Sequence, residues 1–148
     1  MKICLCASVS AYKELISVKN ILAAEGHVVV APPLALQMEA ENSFDNLQEL
    51  AVQDDATPDR KGAIMREHLE KIAKCEAIIV INQPKHGIDG YVGPNVLIEM
   101  GIAFYLGKQI FLLNTLDTKS TVRDEVFGMG AIELNGTLEH LRAMLPVC

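Results

Sequence analysis

The hexapeptide "AIIVIN" at residues 77–82 constrains the fold more than any other stretch of the chain. It is an unbroken, largely β-branched run, too short for a helix and without the alternation of a strand that is wet on one face. Such a strand needs apolar cover on both sides, and the helices of a parallel sheet supply it. Similar runs occur at residues 2–7, at "HVVVA" (27–31), at "QIFLLN" (109–114) and, shorter, at "AIEL" (131–134).

Between these runs the spacing turns helical. Leu15, Val18, Ile21 and Leu22 share one face of a helix over 12–25 that Gly26 ends. A second helix over 59–74, capped by Thr57 or Asp59, turns Ile64, Leu69 and Ile72 inward. A third runs from Pro94 to Gly107 and a last one covers 137–145. "HVVVA" is predicted to be a buried strand stopped by Pro32 and Pro33. Residues 34–57 read as a helix or broken helix with loops, with Phe44, Leu47, Leu50 and Ala51 at helical spacing. "TLDTKSTVRDEVFGM" is a polar connection with some helical character. Strands alternating with helices predict an α/β fold: a flavodoxin-like three-layer sandwich on a parallel sheet of about five strands. The expectation is a single domain over 1–148.

Composition narrows the function. The 148 residues are 50% hydrophobic and 22% charged, which excludes a disordered chain. The net charge of −6, without a Lys/Arg stripe, speaks against binding a nucleic-acid polymer. It leaves room for a small phosphorylated ligand. No apolar run reaches the ~18 residues of a membrane span. The opening "MKICLCASVSAYKE" reads as a first strand, not a targeting segment, so a cytoplasmic location is expected. Cys4, Cys6, Cys75 and Cys148 include no C-x-x-C pair. Cys4 and Cys6 share one face of the first strand and read as inert core thiols. No metal or cofactor is expected, because no His/Asp/Glu grouping has ligand spacing. His68 reads as a core-edge or subunit-interface residue, and His27 and His140 as equally bland.

Ligands of such sheets bind beyond the carboxyl ends of the strands. Three loops belong there: Ser8–Ala11, the segment from Pro32, and Asn82–Gly93. The helix that follows the third loop carries a single charge, Glu99. Asn95, four residues earlier, completes a polar stripe with it. Either the stripe faces water while Val96, Leu97, Met100, Ala103 and Phe104 pack inward, or Glu99 is sheltered and something holds it.

The stretch "GYVGPNVLIEMGIAFYLGKQIFLLN" (90–114) resembles the signature of the nucleoside 2-deoxyribosyltransferase family and its nucleotide N-glycosidase relatives. The resemblance lies in Gly93, the run Glu99–Ala103, the turn Leu106–Lys108 and the strand Gln109–Asn114. "REHLEKIAKCEAIIVIN" (66–82) is similar to the helix and strand that precede this signature. The resemblance implies that Glu99 is a nucleophile. It would attack the anomeric carbon of a (deoxy)nucleoside or its 5′-monophosphate, releasing the base, before water or a second base takes the sugar.

A proton donor to the leaving base is then expected from the third loop, with Asp89 the candidate and His86 the second possibility. Each also reads as a solvated loop residue. Tyr91 can stack on a base or bond a sugar. Ser8 and Ser10 lie where a phosphate or sugar hydroxyl would meet backbone N–H groups, and Ser10 also reads as an ordinary helix N-cap. Lys13 or Lys85 offers a charge for a 5′-phosphate. Asn82, Gly93 and Asn95 complete the expected substrate-binding set. The expected partner is a small nucleoside or nucleotide, and the resemblance implies a homo-oligomer. Two other readings use the same residues: a non-catalytic nucleotide-binding module of this fold, and an assembly protein with the Glu99 helix at an interface.

Overall fold

The computed structural model describes residues 1–46 and 57–144. Five strands, β1 (Lys2–Cys6), β2 (Val28–Val30), β3 (Ala77–Val80), β4 (Gln109–Leu112) and β5 (Ile132–Glu133), form one sheet in the order β2-β1-β3-β4-β5. Every pairing is parallel. The helices are α1 (Tyr12–Ala24), α2 (Pro33–Glu41), α3 (Pro58–Ala73), α4 (Pro94–Tyr105), α5 (Arg123–Gly128) and α6 (Glu139–Met144), with short 3-10 turns at Val9–Ala11 and Phe44–Asn46.

Strand alternation divides the core in two. Ile3 and Leu5 of β1, Ala77 and Ile79 of β3, and Phe111 of β4 point to one side, where Leu15, Leu22, Met38 and Leu141 of α1, α2 and α6 cover them. Cys4, Cys6, Ile78, Val80, Ile110 and Leu112 point to the other side, beneath Ile72 of α3, Val96, Met100 and Ala103 of α4, and Val126 of α5. Both faces are dry, which is why β1, β3 and β4 read as unbroken apolar runs.

Proline sets three helix starts. Pro33, Pro58 and Pro94 each occupy the first turn, where a missing N–H costs nothing and the fixed φ suits the helix. Thr57 stands at the N-cap of α3, but its side chain makes no capping bond.

Four expectations need correction. β2 is an edge strand, not a buried one: Val28 is exposed, and Val29 and Val30 are half-buried. Ile64 is 51% exposed, while His68 and Ile72 of α3 are buried. The reading that leaves Glu99 in water also turns Phe104 inward, but Phe104 is 54% exposed while Val96, Met100 and Ala103 are buried. Ser10 lies inside the 3-10 turn, and Ser8 precedes that turn in the capping position without a side-chain bond. Of the segment expected to be helical, Leu47, Leu50 and Ala51 lie outside the described residues.

Candidate functional site

The strand order reverses between β1 and β3: β1 leads to β2 on one side, and β3 returns on the other. Cys6 pairs with Val80 at the carboxyl ends of these two strands. The loops that follow them therefore flank a crevice, as the topology of open α/β sheets requires.

The two loops meet there. A side chain at Gly93 would bring its first carbon to 3.2 Å from Ser8 Oγ and 3.5 Å from the Tyr91 ring. The glycine thus lets the first loop close onto the start of α4. Asn82, buried at the end of β3, holds the third loop in shape. Its amide donates to the carbonyls of Gly90 (3.2 Å) and Asn114 (2.9 Å), and its Oδ1 accepts from the Asn114 N–H (2.8 Å). Both amide hydrogens and one lone pair of Oδ1 are engaged by backbone, so Asn82 shapes the crevice. Gly90, at φ +63°, passes so close to Thr115 that an added carbon would sit 2.2 Å from its carbonyl oxygen.

The remaining loop residues are spread along the rim. His86 is exposed, has a positive φ, and stands edge-on to Tyr91 at 5.3 Å between ring centroids. Lys85 Nζ lies 6.0 Å from the centre of the same ring. Asp89 is exposed, and its backbone N–H and carbonyl both bond Asp117. Asn95 and Ser10 are exposed. A cleft of about 240 Å³ opens beside this rim, lined by Tyr91, Gly93, Pro94, Leu97, Thr121 and Val122. A second hollow of about 260 Å³ lies between α1 and α6, lined by Glu14, Val18, Ile21, Leu138 and Arg142.

Glu99 does not share a wet stripe with Asn95. It turns inward to α3, where its Oε1 lies 3.6 Å from His68 Nε2, and only 18% of its side chain and 9% of that of His68 are exposed. Its Oε2 is buried without a hydrogen-bond partner among the described residues, and Glu99 lines neither hollow. Burial pushes its carboxyl above the usual range, against the opposing pull of His68.

The thiols read from sequence as inert stand around the same imidazole. His68 Nε2 is 3.9 Å from Cys4 Sγ and 3.7 Å from Cys6 Sγ. The Cys4 thiol falls to about 6, chiefly through a hydrogen bond from Cys6 and then through His68, which together outweigh burial. The same bond and complete burial push Cys6 up, with the Glu99 carboxylate adding to the effect. His68 itself rises: burial alone would lower it, but Cys4 and Glu99 more than compensate. Sequence spacing puts Cys4 and Cys6 on one face of a strand. It carries no sign that α3 and α4 bring His68 and Glu99 to that face.

No protein-family model matches the chain, and no curated protein matches it by sequence. Among solved structures it is similar to the CMP N-glycosidase BcmB of Clostridium botulinum, at 18% identity and a TM-score of 0.57, over 98% of this chain and 100% of that one. It is also similar to the 2-deoxyribosyltransferase of Bacillus psychrosaccharolyticus, at 18% identity and a TM-score of 0.48, over 76% of this chain and 71% of that one. What the first likeness establishes is the fold: a parallel five-stranded sheet between two helical layers, shared end to end with a nucleotide N-glycosidase.

Proposed function

We propose that the protein cleaves or transfers the N-glycosidic bond of a (deoxy)nucleoside or nucleoside 5′-monophosphate, with Glu99 as the nucleophile. The observation that carries this reading is the position of Glu99. A carboxylate on the helix that follows the Gly93 loop is drawn largely out of water beside His68, and that loop follows a strand at the point where the sheet order reverses. The end-to-end likeness to a CMP N-glycosidase supports the substrate class.

In this reading Glu99 turns out toward the crevice when substrate arrives. A carboxylate oxygen bonds to the anomeric carbon while the bond from that carbon to the base breaks, its electron pair leaving with the base nitrogen. Asp89 protonates that nitrogen, with His86 the alternative donor. Water or the nitrogen of a second base then attacks the same carbon, the ester breaks, and Glu99 is restored. The proton lost by the attacking group returns to the donor. Tyr91 stacks on the base, and Asn95 at the start of α4 meets the sugar. Ser8, Ser10 and Gly93 at the loop crossing receive its 5′ end, with Lys13 or Lys85 supplying charge.

The test is incubation with CMP, the other nucleoside monophosphates and the deoxynucleosides, followed by chromatography for free base. Release of base that disappears in Glu99→Gln is expected. No free base from any of these, or full activity in Glu99→Gln, overturns the reading.

The burial of Glu99 Oε2, and its absence from both hollows, favour a second reading, a module that binds nucleotide without turning it over. A nucleotide that raises the melting temperature and is recovered intact after prolonged incubation selects that alternative.

A further inference from the structure

We propose that Cys4, Cys6, His68 and Glu99 form a binding site for a thiophilic divalent cation, Zn²⁺ by preference, and that an occupied site locks Glu99 inward. The second half rests on the nucleophile reading above; the metal site itself does not.

Cys4, Cys6 and His68 are already grouped as ligands, and Glu99 stands next to His68, from where a shift of its side chain completes the set. The sulfurs of Cys4 and Cys6 and an imidazole nitrogen of His68 all lie within 4.8 Å of one another. From Nε2 the distances are 3.9 Å to Cys4, 3.7 Å to Cys6 and 3.6 Å to Glu99 Oε1. In a tetrahedral zinc site, with sulfur at about 2.3 Å and nitrogen or oxygen at about 2.0–2.1 Å, neighbouring ligand atoms stand about 3.3–3.8 Å apart. The three distances from Nε2 fall within a few tenths of an ångström of that spacing. Two thiolates with an imidazole and a carboxylate in tetrahedral array select zinc over the hard cations.

The supports are rigid and independent. Cys4 and Cys6 stand on β1, which is paired on both sides, while His68 and Glu99 come from α3 and α4, packed on the same face of the sheet. Glu99 Oε2 and His68 Nδ1 are both buried without hydrogen-bond partners among the described residues. A buried carboxylate oxygen without a hydrogen-bond partner is a costly arrangement in a protein interior, and a cation bound at the neighbouring His68 and thiols compensates it. No lysine or arginine among the described residues forms an ion pair with Glu99 that would do the same.

Binding requires no oxidant. The two thiols release their protons to solvent, and Zn²⁺ accepts lone pairs from two thiolates, one carboxylate and neutral imidazole, leaving a site of net charge −1. Glu99 is then a ligand and cannot attack a sugar.

The experiment is titration of the reduced, chelator-treated full chain with Co²⁺ under anaerobic conditions. One cobalt per chain is expected, with thiolate-to-cobalt charge-transfer absorption, intense tetrahedral d–d bands, and displacement by Zn²⁺. Cys4→Ser and Cys6→Ser are each expected to weaken binding at least a hundredfold. Because a buried serine can unsettle the fold, X-ray absorption at the zinc edge of the unaltered protein gives a second reading. Two sulfurs near about 2.3 Å and two lighter ligands near about 2.0 Å are expected. A zinc shell without sulfur, or no cobalt band in folded protein, overturns the site. With a substrate that releases base, one equivalent of Zn²⁺ should suppress turnover and chelator should restore it; undiminished turnover with the site filled overturns the locking of Glu99. The cobalt readout needs no substrate, so failure of the metal site and failure of the nucleophile reading register in separate assays.

Discussion

His68 Nε2 and Glu99 Oε1 lie 3.6 Å apart across the contact between α3 and α4, with little of either side chain exposed. The pair holds a charge that the interior resists, since burial already pushes the Glu99 carboxyl up. Function and stability should therefore diverge at this position. Glu99→Gln keeps the shape, removes the charge and gives His68 a neutral neighbour. In chelator-treated protein the variant is expected to melt a few degrees higher than the parent while losing base release by about a thousandfold or more. Calorimetry and the chromatographic assay, run on the same preparation, check both. A variant that melts lower shows that the carboxylate is held for stability instead.

The sheet was legible because β1, β3 and β4 are each buried on both faces, and that condition writes itself into sequence as an unbroken apolar run. β2 carries similar residues at an edge, and composition alone does not separate the two. On α3 the residues Ile64, His68 and Ile72 recur every fourth position, so all three fall near one face. Ile64 stands one turn beyond the packed region and is wet, whereas the polar His68 in the middle is dry. Periodicity finds the face of a helix but not how far along it the contact extends. Of the candidate site, Glu99 and the loop that ends at Gly93 stand out in the sequence. Its inner wall does not, because Cys4, Cys6 and His68 meet only through a contact between β1 and α3 that spans more than sixty positions of sequence.

Asn82 offers a test of the crevice as a constructed shape. Replacement by alanine removes three side-chain bonds and strands the carbonyls of Gly90 and Asn114 and the Asn114 N–H. The expected loss is about 3 kcal/mol in urea denaturation. Asn82→Asp should cost at least as much, because it replaces the donor to two carbonyls with a carboxylate oxygen that repels them. An aspartate variant as stable as the parent refutes this account of the loop.

Two glycines of similar backbone conformation separate strain from crowding. Gly90 and Gly107 have φ of +63° and +67°, but only at Gly90 does an added carbon collide, 2.2 Å from the Thr115 carbonyl oxygen. Gly107→Ala should cost about 1 kcal/mol, the conformational penalty alone. Gly90→Ala should cost roughly 2 kcal/mol more, since backbone has to move. Equal losses by chemical denaturation would mean that the β3 loop yields freely and does not fix the rim.

Under the proposed function, Tyr91 connects the rim to substrate recognition. Its ring lines the 240 Å³ cleft, meets His86 edge-on and lies under Lys85. A ring so placed offers a flat apolar surface to a nucleobase, and stacking of this kind is worth about 1–3 kcal/mol. Tyr91→Ala is accordingly expected to raise KM for the preferred nucleotide about tenfold or more, the equivalent of roughly 1.4 kcal/mol. Because the ring meets the base equally before and during bond cleavage, kcat should change by less than about threefold. Tyr91→Phe keeps the surface and should resemble the parent in both constants. If phenylalanine is as poor as alanine, the phenol hydroxyl and not the ring does the binding. If kcat falls while KM holds, Tyr91 belongs to the chemistry at the sugar and not to the grip on the base.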